Sequence, residues 1–272
     1  MADGPACTLI VAVYEHSDFL EKLFVSFLNQ TRKDFEIIVA DDGSGPAVKE
    51  VVERYRLLFP YPVRHVWHEH EGFRKTIIIN KAVCRSSADY LVFIDGDCIL
   101  HHRFIEFHLK RRQQGTVLSG RRVMLSEAAS SKVTLDLIRS KGIQKVWFWW
   151  GRCNRQGYLQ GLFLPGMFTL RNRSKRKRCD ILGCNFSVYK SDFLKVNGYD
   201  ERIIGRGMED DNLSARFQCA GVETKTMAFE ALEYHLHHSA DPIPHGREAI
   251  AEFRDNITNC WTPFGIVKSP VP

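Results

Sequence analysis

Three groups of polar residues have the types and the spacing for chemistry. Asp95-Gly96-Asp97 sets two carboxylates one residue apart, just past the apolar run Tyr90–Ile94. Such a pair can hold a hard divalent cation through oxygen, and Gly96 lets a ligand come close. The same three residues also suit a solvated turn. His235, His237 and His238 fall within four residues and offer imidazole, so that with a distant aspartate a mixed Asp/His site arises. Imidazole in that set favours Mn²⁺, with Mg²⁺ as the alternative; taken singly, each histidine is equally an exposed or satisfied side chain. Glu209-Asp210-Asp211 would open a helix, where the dipole favours acids, and capping accounts for one or two of them. Gly205-Arg206-Gly207 just before them suggests a loop that approaches a ligand, where a carboxylate could serve as general base.

The elements that must position these groups are strands alternating with helices. Thr8–Tyr14, Phe35–Ala40, Val63–Trp67 and Tyr90–Ile94 are short apolar runs rich in β-branched residues, hence predicted strands. Helices are expected from Ser17, as cap, to about Asn29, from Ala47 to Leu58 and from Arg74 to Arg85. The pattern weakens between Gly115 and Asp180. It resumes at Ile181–Tyr189, in a helix from near Glu209 closed by Gly221, and in a last strand Phe229–Leu236. This alternation predicts an α/β fold with a mostly parallel central sheet flanked by helices. Ligands of such sheets bind beyond the carboxyl ends of the strands, which places Tyr14, Asp42, Asp95 and Asp97 on one edge.

The chain has 272 residues, one large domain or two small ones, with 44% hydrophobic and 26% charged residues. Internal repeats and low-complexity tracts are not visible in it. Its eight cysteines are too sparse for a disulfide scaffold, and none forms a CxxC pair that would suggest a zinc ribbon. The opening MADGPACTLIVAVY has no basic leader region and reads as a strand. The expectation is a soluble, cytoplasmic protein of a reducing compartment. Net charge is +6, but eleven Lys/Arg and no Asp/Glu lie between Leu137 and Cys179. Six of the eight residues Arg171–Arg178 are basic, and Trp147-Phe148-Trp149-Trp150 lies nearby. A run of this kind is commonly a solvated loop. With its tryptophans it also suits the headgroup level of an anionic membrane. No module motif accompanies it, so nucleic acid is not expected as a partner.

The stretches IVAVYEHSDFLEKLFVSFLNQTRKDFEIIVADDGS, GFRKTIIINKAV…YLVFIDGDCIL and GCNFSVYKSDFLKVNGYDERIIGRGMEDDNLSARF belong together. The first resembles the opening of family 2 glycosyltransferases of the GT-A fold. The second and third resemble the nucleotide-sugar and acceptor-side blocks of inverting β-1,4-galactosyltransferases. The likeness covers about residues 8–125 and 180–240, three blocks in order.

The resemblance implies a Rossmann-like GT-A fold with an acceptor-side subregion, and a role for each matching residue. Ala12 and Tyr14 would line the uridine pocket, and Asp42 would accept the uracil N–H. Phe73 and Lys75 would contact nucleotide and diphosphate, and Asp95, with Gly96 beside it, ribose or donor sugar. Asp97 and His238, with His235 as a weaker ligand, would hold the metal. Asp210 would be the catalytic base and Glu209 the acid that holds the acceptor. Arg206 stands where the galactosyltransferases carry a tryptophan. The implied organisation is one catalytic domain over 1–240, with a nucleotide-sugar half (1–114) and an acceptor half (115–240) that contains the basic, aromatic insert 137–179. A C-terminal helix and tail would span 241–272. The partners implied by the resemblance are a UDP-sugar and a saccharide acceptor; the basic, aromatic island by itself suggests a lipid-linked saccharide and an anionic surface at the inner face of the cytoplasmic membrane.

Overall fold

A computed structural model of the chain describes residues 4–153, 159–172, 180–203, 207–239, 257 and 259–268. Its main sheet has seven strands in the order β3-β2-β1-β4-β8-β6-β9. These are β1 Cys7–Val13, β2 Phe35–Asp41, β3 Val63–Trp67, β4 Tyr90–Asp95, β6 Thr116–Ser119, β8 Asn185–Tyr189 and β9 Glu223–Thr226. Neighbours pair in parallel except at β8, which runs against both β4 and β6. The sheet is therefore mostly parallel, with β8 joining β1–β4 to β6 and β9.

Central strands covered on both faces must be apolar at every position, and here alternate residues go to two cores. Leu9, Val11 and Val13 of β1 pack on one face with α1 (Ser17–Leu28) and α2 (Pro46–Tyr55). Ile10 packs on the other with α3 (Lys75–Cys84) and the Glu209–Cys219 helix. The same alternation holds in β2 and β4, which fixes the register that brings the three strand ends level.

A smaller sheet, β5-β10-β7, sits beside the main one. It joins β5 (Cys98–Leu100), just past Asp97, to β10 (Leu232–His235) and β7 (Arg121–Met124). His235 stands opposite Cys98 in the antiparallel register, and the Leu236 N–H donates to the Asp97 carbonyl at 2.9 Å. This ladder brings two segments far apart in sequence to one place.

Four local expectations are corrected. Ser17 is the first residue of α1 rather than its cap; His16 holds the cap position in a left-handed conformation (φ 51°, ψ 51°) with no side-chain bond to the helix. The second helix tightens into a 3₁₀ turn at Arg56–Leu58. The last strand is shorter than expected, Leu232–His235, because Met227–Ala231 forms turns. Cys219 and Cys260 form a disulfide, a pairing that the sparse cysteines did not suggest. The bridge fastens the C-terminal segment to the end of the Glu209–Cys219 helix. That segment drapes over the fold: Asn197 donates to the Thr262 and Val267 carbonyls at 2.7 and 2.8 Å. The expected helix after 241 falls mostly on residues 241–256, which lie outside the described residues, as do Gly205, Arg206 and residues 173–179 of the basic run. Among the described residues, no helix is long and apolar enough to cross a membrane.

Candidate functional site

A cavity of about 710 Å³ opens at the carboxyl ends of β1, β2 and β4, and the twelve residues to which the resemblance gives a role, from Ala12 to His238, all line it. A second cavity of about 660 Å³, between α2 and β3, is lined by none of them.

On the nucleotide side, Tyr14 follows β1 and is half-exposed. Its ring stacks on His70 at 4.3 Å between centroids. Asp42 follows β2, its N–H bonded to the Val13 carbonyl at 2.9 Å. Its carboxylate accepts from His68 Nε2 at 2.5 Å and from the Arg74 N–H at 2.8 Å, while Lys81 donates to His68 Nδ1 at 3.2 Å. Carboxylates take up to about four hydrogen bonds, so Asp42 is held rigidly with acceptor capacity left. Ala12 and Phe73 complete this wall. The Gly96 N–H donates to the Ala12 carbonyl at 2.8 Å, and a Cβ on Gly96 would stand 2.9 Å from Val13 Cγ2. Glycine is thus required there by packing as well as by room for a ligand.

In the middle, the Lys75 ammonium donates to Asp95 Oδ1 at 2.6 Å. Burial would favour its neutral form. The charges of Asp95, Asp210 and Glu209 outweigh this and hold it charged, well above the usual lysine range.

At the rim of β5 and β10, His235 Nε2 and His238 Nε2 both face Asp97 Oδ2, at 3.1 and 2.8 Å. Asp97, His235 and His238 each offer one ligand atom, and these atoms lie within 4.8 Å of one another. Burial pushes the Asp97 carboxyl up, but bonds to the two imidazoles hold it far below the usual range. His235 is buried and its Nδ1 has no hydrogen-bond partner. His237, the third histidine of the run, is exposed outside this cavity, its N–H donating to Ser130 Oγ at 2.7 Å.

The opposite wall carries the acids at the start of the Glu209–Cys219 helix. Asp210 accepts the Gly183 N–H at Oδ2 (2.9 Å) and the Tyr199 hydroxyl at Oδ1 (3.0 Å). Gly183 permits this approach, since a Cβ there would collide with the carboxylate. Glu209 accepts the Gly207 N–H at 2.6 Å. Burial and the neighbouring Asp210 charge push Glu209 up to about 7, with Lys75 opposing. Asp210 is also raised, chiefly by burial, against the pull of Lys75. Two neighbouring carboxyls whose proton affinities are both raised are suited to proton transfer.

Residue patterns alone missed several groups. Tyr199 and Gly183 orient Asp210, His68 and Lys81 brace Asp42, and Arg122 enters the cavity from β7. The GCN and GYD strings contained two of them, but without a partner residue nearby to give them meaning.

Comparison with known proteins matches residues 8–194 to the profile of glycosyl transferase family 2. Residues 170–239 match the profile described as the N-terminal domain of galactosyltransferase. Validoxylamine A glucosyltransferase of Streptomyces hygroscopicus subsp. jinggangensis (strain 5008) is 23% identical over 80% of this chain and 52% of its own length. Poly(ribitol-phosphate) beta-N-acetylglucosaminyltransferase TarP of Staphylococcus aureus (strain N315) is 29% identical over 36% of this chain and 30% of its own. The crystal structure of S. aureus TarS 1-349 in complex with UDP superposes with a TM-score of 0.59 at 14% identity, covering 84% of this chain and 59% of that one. This is a likeness of fold, GT-A in kind. The chain spans about half the length, or less, of the first relatives it matches.

Proposed function

The chain belongs to glycosyl transferase family 2, and on that premise we propose an inverting, metal-dependent transferase. It would move a hexose or N-acetylhexosamine from a UDP-sugar to a hydroxyl of a saccharide acceptor, in the synthesis of a cell-surface polysaccharide or lipopolysaccharide. The observation that carries this reading is one cavity with an Asp/His/His group on one wall and a raised carboxylate pair on the other, bridged by Lys75 and Asp95. The UDP named with TarS supports a uridine nucleotide as donor, and the poly(ribitol-phosphate) named with TarP supports a polymeric acceptor. Residues 1–240 are read as a single catalytic unit, which the pairing of β4 with β8 across the two halves supports.

The oxygen and two nitrogens of Asp97, His235 and His238 fit Mn²⁺, or Mg²⁺. Such an ion supplies neutralisation of the diphosphate leaving group. The rest falls to the chain. Tyr14 stacks on the base, Asp42 accepts the uracil N–H, and Phe73 closes the nucleotide wall. Asp95, clamped by Lys75, holds ribose or donor sugar. Glu209 holds the acceptor. Asp210, with Tyr199 and the Gly183 N–H fixing its orientation, takes the proton of the acceptor hydroxyl as its oxygen attacks the anomeric carbon. Attack opposite the leaving diphosphate inverts the centre, so an α-linked donor gives a β-linkage.

The test is a panel of single nucleotide sugars with Mn²⁺, with and without chelator, reading released nucleoside diphosphate. Chelator-sensitive release from one UDP-sugar is expected. Failure to bind UDP in calorimetry with metal present would reject the reading and its residues together.

For the acceptor, a lipid-linked saccharide at the cytoplasmic face of the membrane is favoured over a soluble one by one feature. Val146, Trp147, Trp150, Leu159, Leu164 and Leu170 are all exposed within the acid-free stretch 137–179. Flotation with anionic liposomes, lost in Trp147→Ser/Trp150→Ser, is the expected result; no flotation of the wild-type chain removes this part of the proposal.

A further inference from the structure

At the floor of the cavity, which Cys184 lines, is a second cluster that the reaction above does not use. Cys98 of β5, Cys184 just before β8 and Glu233 of β10 each offer one ligand atom, and these atoms all lie within 4.8 Å of one another. The three residues are sealed from solvent, at 0%, 1% and 0% exposure. Neither carboxylate oxygen of Glu233 has a hydrogen-bond partner. Its nearest polar partner is the Cys184 thiol, a weak donor, and a fully buried carboxyl with no nitrogen or oxygen donor is rare and calls for an explanation. Arg122, which stands opposite Glu233 in the β7–β10 register, places Nη1 3.4 Å from Cys184 Sγ.

We propose that Cys98, Cys184 and Glu233 hold a thiophilic divalent cation of the Zn²⁺ class as a structural site at the floor of the active cavity. Two thiolates and a carboxylate carry −3, and a divalent ion brings the site to −1. The Arg122 guanidinium then brings it to zero, the balance a dry interior requires. The donor set also separates this site from the Asp97–His235–His238 group: two sulfurs favour Zn²⁺, whereas oxygen and imidazole accept harder ions. Its ligands are scattered along the sequence, so an ion there closes long loops and ties together β5, β10 and the turn before β8. Cys98 is the neighbour of Asp97, and Cys184 is the neighbour of Gly183, whose N–H holds Asp210. The site therefore sets the distance between the two walls of the cavity.

The experiment uses the full chain with its Cys219–Cys260 bridge intact, after chelator treatment, with Co²⁺ as the probe. Expected is a thiolate-to-cobalt charge-transfer band in the near ultraviolet that saturates at one equivalent, persists in Asp97→Asn, and disappears in Cys184→Ser or on adding Zn²⁺. No such band in the wild-type chain, or its survival in Cys184→Ser, overturns the proposal. Cys184→Ser sits in a packed core and can cost folding, so X-ray absorption of the zinc-loaded wild-type chain gives an arm without variants. Sulfur neighbours at the zinc support the site, and nitrogen and oxygen alone overturn it. Neither result bears on the transferase reading, which UDP binding tests separately.

Discussion

The two walls of the main cavity use the same residue types to opposite ends. At the metal-facing rim, Asp97 receives two imidazoles on one oxygen and is held ionised. On the far wall, Glu209 and Asp210 receive only neutral donors, the N–H groups of Gly207 and Gly183 and the Tyr199 hydroxyl. They stand side by side and their proton affinities rise. On the proposed reaction, the first arrangement suits a ligand and the second a base. Environment, rather than residue identity, divides the two roles.

The sharpest way to break this division is Asp210→Asn. The substitution keeps the side-chain shape but removes the proton acceptor, so turnover should fall by about 10²–10⁴-fold while UDP affinity is unchanged. Initial rates and calorimetry read the two quantities, and a parallel loss of UDP binding would mean that the walls are not separate. Asp97→Asn should act in reverse, weakening metal-dependent UDP binding by at least about 100-fold while metal-free nucleotide binding stays unaltered.

The pH profile sharpens the contrast further. The base pair works deprotonated, and Glu209 is pushed up to about 7, so kcat/KM should drop about tenfold per unit below that pH. Lys75 lowers both carboxyls, so Lys75→Met should move this acid limb to higher pH, whatever it does to donor binding. A limb that stays in place would separate Lys75 from the pair. Stability carries the same signature with a defined sign. Between the ordinary carboxyl value of 4.5 and about 7, the folded chain binds more protons at Glu209 than the unfolded chain, so stability falls as pH rises through that window. Glu209→Gln should flatten this slope in thermal unfolding. The smallest effect is expected at Tyr14, where loss of one stacking face in Tyr14→Ala should weaken UDP by about fivefold, or about 1 kcal/mol.

Much of the wall proposed to hold the nucleotide was legible in the chain. Tyr14, Asp42, Asp95 and Asp97 each follow an apolar run, and a parallel sheet brings such run-ends together whatever their sequence distance. The acceptor wall was legible only in part. Glu209-Asp210 announced a helix start, but Tyr199 and Gly183 gave no sign that they would grip Asp210. The basic insert showed its composition and not its role. Its tryptophans divide into a buried Trp149, packed over Gly161, and exposed Trp147 and Trp150, a split that no four-residue aromatic run reveals.

What the sequence determined by itself was local: strand periodicity, turn acids, a helix start and the charge segregation of residues 137–179. These follow from backbone preference and from the need to bury apolar residues, and each acts within a few residues. Tertiary structure alone decided which distant side chains share a space. The antiparallel register of β10 on β5 sets His235 opposite Cys98 and so delivers the histidines to Asp97. The same small sheet carries Glu233 down to Cys98 and Cys184, and sets Arg122 across from it. The Cys219–Cys260 bridge belongs to this class as well. Register is fixed by how whole faces pack, and a shift of one residue would turn every one of these side chains away.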